Sequence, residues 1–124
     1  MTSQVKKKLT LTDLIKEKEK YQVKTDTKQE LYIEQLDATI TIVKPERTTV
    51  MDAIESKSDD YMVYNIVIEP NLKDAELQKA YGCAEPTDIV SKIFDPGTIA
   101  GIANAGLKLG GYESNVKALE DLKN

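Results

Sequence analysis

The sequence predicts an α+β domain, mainly helical, in which an N-terminal antiparallel β-hairpin packs on a bundle of five or six short helices. Three observations carry this prediction. Within residues 28 to 43, Leu31 and Ile33, then Ile40 and Ile42, alternate with polar neighbours, and period two is the signature of a strand with one covered face. After Pro45 the chain is punctuated by proline, capping residues and glycine at helix spacing. The chain has 124 residues, of which a quarter are Leu, Ile, Val or Phe, enough apolar content for one core but not for two sizeable ones. A single domain over 1–124 is therefore expected, with residues 1–9 as a flexible basic tail.

Taken in order, Thr10 and Asp13 form an N-capping pair before LTDLIKEKEKY, and Leu11, Leu14 and Ile15 give that segment one narrow apolar stripe. This predicts a short helix over 11–21 whose Lys16 to Lys20 charge run faces water and which needs a partner surface to be stable. Leu31 and Ile33, then Ile40 and Ile42, alternate with polar residues, and the turn near Leu36-Asp37-Ala38 closes the hairpin. Two strands alone are marginal, so helices must cover the apolar face.

Pro45 ends strand pairing and suits the first turn of a helix running to about Ser56 on Val50, Met51 and Ile54. Ser58 or Asp59 caps the next helix. There Tyr61, Met62, Tyr64 and the residues up to Ile68 are apolar on nearly every side, which predicts the central helix, with Tyr64 and Ile68 in the core and Glu69-Pro70 as its end. The β-branched run Ile66-Val67-Ile68 reads equally as a strand. Three helices follow: one after Asn71 stopped by Gly82, one opened by Pro86, and one opened by Asp95-Pro96 and closed by Gly110-Gly111. SNVKALEDLKN reads as a frayed C-terminal helix.

Composition excludes several kinds of chemistry. There is no histidine, and Cys83 is the single cysteine, so Cys/His zinc sites, Ser-His and Cys-His nucleophile pairs and an internal disulfide are impossible. Cys83 itself reads as a small buried hydrophobe. Net charge is −4, divided as +4 over residues 1 to 28 and −8 over the remainder. An acidic body argues against nucleic acid or anionic membrane as a partner, and no apolar run approaches the roughly 20 residues of a transmembrane helix. The six glycines match no phosphate-binding loop. Asp59-Asp60 and Glu120-Asp121 sit where helix-capping acids are expected. No catalytic, cofactor-binding or metal-binding residue is assigned, and the chain is expected not to be an enzyme.

One candidate surface remains. Gly97, Gly101 and Ala105 fall at i, i+4, i+8 on one helix face, where missing side chains allow another backbone to come close. Glycine within a helix costs about 1 kcal/mol against alanine, so Gly101 and Gly106 point to a compensating contact. That contact is either within the chain or between copies, giving at most a weak homo-oligomer.

Several segments in one order carry a resemblance: Glu69-Pro70-Asn71-Leu72; Leu77-Gln78 with Ala80-Tyr81-Gly82-Cys83; Glu85-Pro86-Thr87-Asp88-Ile89-Val90; and Phe94 with Pro96-Gly97. With LTDLI near the start and the hairpin before Pro45, they resemble the XkdN-like tail assembly chaperones of phages and prophages of Gram-positive hosts, over most of residues 10 to 124. The resemblance implies a non-enzymatic chaperone in the bacterial host cytoplasm. It would bind tape measure protein, keep it soluble, recruit major tail tube protein and be absent from the mature virion. It also implies that a frameshifted longer form can accompany this shorter product, and Leu122-Lys123-Asn124 permit a slippery heptamer. The alternative is a small structural tail or head-completion protein retained in the virion.

Overall fold

A computed structural model describes residues 7–113 and 115–122. It divides into two compact units, one formed by the terminal segments (1–24 and 115–124) and one by residues 25–114. Of the expected basic tail, residues 1–6 lie outside the described residues. Lys7 lies 3.5 Å from the Asp13 carboxylate.

In the terminal unit the capping pair forms as the sequence predicts. The Thr10 hydroxyl accepts from the Asp13 N–H at 3.1 Å, and the Asp13 carboxylate accepts from the Thr10 N–H at 3.2 Å. The helix predicted over 11–21 is instead two pieces, α1 (Leu11–Lys16) and α2 (Lys18–Tyr21), broken at Glu17 with φ −111° and ψ 42°. Neither piece has a buried residue, so local terms alone, propensity and in α1 the capping box, must carry each, and a helix this short is marginal on such terms. Among the described residues the predicted C-terminal helix reduces to a 3₁₀ turn, Leu119–Leu122, for the same reason: Val116 is 84% exposed and Leu119 56% exposed; residues 114, 123 and 124 of that segment lie outside the described residues.

The capping box makes α1 pH-sensitive in a defined direction. The Thr10 hydroxyl, then the Thr10 N–H, hold the Asp13 carboxyl below its ordinary value. A lowered carboxylate favours the folded form above its unfolded pKa, and that preference is lost as pH falls through the lowered value. The α1 amides should therefore lose helical chemical shifts on acidification through that range, and Asp13→Ala should abolish the pH dependence. Identical titrations of the two chains would contradict the cap.

In the second unit β1 (Lys28–Ile33) pairs antiparallel with β2 (Ala38–Val43), Leu31 standing opposite Ile40 and Ile33 opposite Ala38. A 3₁₀ turn over Glu34–Leu36 and a left-handed Asp37 (φ 48°) connect them, a conformation aspartate tolerates better than most residues. Ile33, Ile40 and Ile42 are buried on the hairpin's apolar face.

The sheet has a third strand, which corrects the hairpin-only prediction. β3 (Val67–Glu69) pairs antiparallel with β2, Thr41 facing Glu69 and Ile42 facing Val67, with a bulge between them. The helix predicted to reach Glu69 therefore ends at Ile66. Val67 and Ile68 are β-branched and favour a ladder, Pro70 biases the residue before it away from helix, and β2 offers a free edge.

Helix α3 (Arg47–Ser56) begins after Glu46 as N-cap, with Pro45 just outside the helix. Its buried residues are Val50 and Ala53, whereas Met51 and Ile54 are 56% and 68% exposed. The sequence offers two overlapping faces, and the smaller one meets the core. The Ser58 hydroxyl caps α4 (Asp59–Ile66) by accepting from the Tyr61 N–H at 3.1 Å. The helix is central as expected, touching α3 and also the helices over Asp88–Ile93 and Pro96–Leu109. Its buried residues are Met62, Val63 and Ile66, and Tyr64 and Ile68 are only half-buried, so the core assignment of those two is corrected.

Asn71 forms a turn, its side chain accepting from the Lys73 N–H at 3.1 Å, while Asp74 caps the shortened helix α5 (Ala75–Ala80) through the Leu77 N–H at 2.9 Å. Gly82 stops it with φ 64°, where a side chain would be strained. Helix α6 (Asp88–Ile93) follows, then α7 (Pro96–Leu109), with Pro96 in its first turn and Gly110 at its end. The described residues thus hold seven α-helices and one three-stranded sheet, in place of five or six helices and a hairpin.

Candidate partner-binding surface

Helix α7 contacts both β1 and β2, burying Ile99, Ile102, Ala103 and Gly106. The same rotation turns Gly97 and Gly101 outward, beside the free edge of the sheet. Between them lies an open groove of about 370 Å³. Leu31, Tyr32, Ile33, Glu34 and Gln35 line one wall, and Gly97, Thr98, Gly101, Ile102 and Ala105 the other.

The three small residues singled out by spacing are not equivalent. A Cβ built on Gly97 or Gly101 would meet nothing within 4 Å, and both residues are exposed, whereas Ala105 packs partly against the core. Close internal packing occurs at Gly106 instead, where a Cβ would stand 2.5 Å from the Ile66 Cδ1.

Gln35 holds one end of the groove, a role with no local sequence signal. Its side-chain amide donates to the Ile93 carbonyl at 3.2 Å and accepts from the Asp95 N–H at 2.9 Å. The hairpin turn is thereby tied to the α6–α7 junction, some 60 residues away in sequence. Tyr32 donates its hydroxyl proton to the Asp37 carboxylate at 2.6 Å, and this bond raises the Tyr32 pKa. Charge near the groove is mostly acidic: Glu30, Glu34, Asp37 and Asp95 belong to β1, its turn and the start of α7, against Lys28 at the far end of β1.

The remaining candidates carry no comparable geometry. Tyr61 and Tyr64 are half-buried, while Cys83 packs partly against the core. Asp59 and Asp60 occupy the first turn of α4, where acids complement the helix dipole. Among the described residues no group of three or more His, Cys, Asp or Glu could hold a metal ion, and no helix is long and apolar enough to cross a membrane.

No curated protein and no solved structure matches the chain. The model of one family does match, that of the phage XkdN-like tail assembly chaperone proteins, and it spans residues 2–123. With nearly the whole chain covered, the resemblance read from Glu69 to Gly97 is confirmed, and the chain belongs to the XkdN-like tail assembly chaperone family.

Proposed function

We propose that this chain acts without catalysis, binding tape measure protein, keeping it soluble and recruiting tail tube subunits in the bacterial host cytoplasm before leaving the finished tail. Family membership supports a role in tail assembly. The observation that carries the reading is the open groove at Gly97 and Gly101, where side-chain-free positions leave room beside the sheet, with no buried charged side chain among the described residues. An acidic rim keeps such a protein soluble while its apolar floor is free. Self-association through this face would be weak and concentration-dependent, because the rim acids repel their copies.

The test is co-expression with tape measure protein. That protein should partition to the soluble fraction in the presence of this chain and to the pellet in its absence, and purified virions should lack the chain. Insoluble tape measure protein in both cases, or the chain in stoichiometric amounts in virions, would favour a retained structural component instead.

A further inference from the structure

The two edges of the sheet differ. β3 is three residues long and is followed at once by Pro70, which is how proteins blunt an edge against unwanted pairing. β1 is six residues long and pairs, among the described residues, with β2 alone.

The hydrogen-bond phase of β1 follows from one bond. The Lys44 N–H donates to the Thr27 carbonyl at 2.7 Å, and Lys28 stands opposite Val43. In an antiparallel ladder, bonded and non-bonded pairs alternate. Thr27, Gln29, Leu31 and Ile33 therefore point their backbone groups at β2, and Lys28, Glu30 and Tyr32 point theirs outward. A new strand would lie about 4.8 Å beyond them, and its side chains on the apolar face of the sheet would descend into the groove over Gly97 and Gly101.

We propose that the β1 edge is a strand-addition site for an extended segment of another protein, with apolar residues at alternate positions and Lys or Arg between them. The apolar positions match the half-buried Leu31 and Ala105 of the groove, beneath which Ile102 is buried. The basic positions lie on the outer face beside Glu30, away from Lys28 at the start of β1, with Glu34 and Asp95 at the other end of the site. Backbone bonding supplies affinity and the alternate side chains supply selectivity. Acidic strands are repelled by the same charges. The two glycines then have a use that packing within the chain does not give them: they keep α7 clear of the added strand's side chains.

This deepens the reading above, on which it rests for the claim that the chain binds tail proteins, and the two are separable by experiment. With isotope-labelled protein, the blocked hexapeptide (Lys-Val)₃ should slow amide exchange at Glu30 and Tyr32 at least ten-fold and shift Gly97 and Gly101. (Glu-Val)₃ and the non-alternating Lys-Lys-Lys-Val-Val-Val should not do so at the same concentration. Gly101→Leu, whose Cβ would meet no atom within 4 Å, should weaken (Lys-Val)₃ binding at least ten-fold while its spectrum remains that of a folded chain. Equal binding of the three peptides, unchanged exchange at Glu30 and Tyr32, or undiminished binding by Gly101→Leu would overturn the proposal. If wild type and Gly101→Leu keep tape measure protein soluble equally well, the strand site fails and the chaperone reading stands. If neither does so, the chaperone reading fails and the peptide arm still decides the site.

Discussion

Ile66→Ala is expected to destabilise the 25–114 unit by about 2 to 5 kcal/mol, whereas Ile68→Ala, two residues away, should cost less, about 1 to 2 kcal/mol. Ile66 is the last residue of α4 and is 1% exposed, with its Cδ1 placed against the glycine face of α7 at Gly106. Removing three carbons there leaves a cavity between two helices that cannot close without moving one of them. Ile68 lies on the opposite face of β3 from Val67 and is half-buried, so its loss removes less buried area and part of the space it vacates is open to solvent. A net stability of about 5 to 15 kcal/mol is typical of a domain, so the first change consumes a large share of it and the second a smaller one. Denaturant unfolding of both variants decides, and similar losses would mean that the helix-to-strand switch at Ile66 is misplaced.

That switch also shows where sequence reasoning stops. The hairpin was legible because Leu31, Ile33, Ile40 and Ile42 alternate with polar neighbours, a pattern only a strand uses. Thr10, Ser58, Gly82 and Pro96 were legible because caps and stops act within a few residues of themselves. Ile66-Val67-Ile68 is apolar without a period, and whether it coils or pairs depended on the vacant edge of β2, more than twenty residues earlier. The same limit applies in α3, where the sequence reads a stripe of Val50, Met51 and Ile54 but the partner surface takes Val50 with Ala53.

The candidate site was half legible for the same reason. Spacing placed Gly97, Gly101 and Ala105 on one face but could not say what that face met. The acidic character of the body was visible in composition, whereas the gathering of Glu34 and Asp95 at one end of a groove required the fold. Gln35 was not visible at all: its two bonds, to Ile93 and Asp95, join segments that nothing in the sequence associates.

Gly106→Leu separates the packing glycine from the open one. In α7 either Gly→Leu change removes a poor helix former and should gain somewhat under 1 kcal/mol from propensity. At Gly101 no atom lies within 4 Å of the new Cβ, so that gain is opposed only by an exposed leucine, and the melting temperature should hold or rise by a few degrees. At Gly106 the Cβ alone would stand 2.5 Å from the Ile66 Cδ1, and the rest of the leucine must enter a contact where both residues are buried. Overpacking of this kind costs about 1 to 3 kcal/mol and more when no rotamer escapes, which outweighs the propensity gain. A net loss of about 2 kcal/mol would lower the melting temperature of a domain this size by roughly 8 to 16 °C. The second variant Gly106→Ala should fall between the two, because its single methyl group requires only the tip of Ile66 to move. Thermal melts of the three variants in one buffer test the order. If Gly106→Leu melts with or above Gly101→Leu, α4 and α7 do not meet at Ile66 and Gly106.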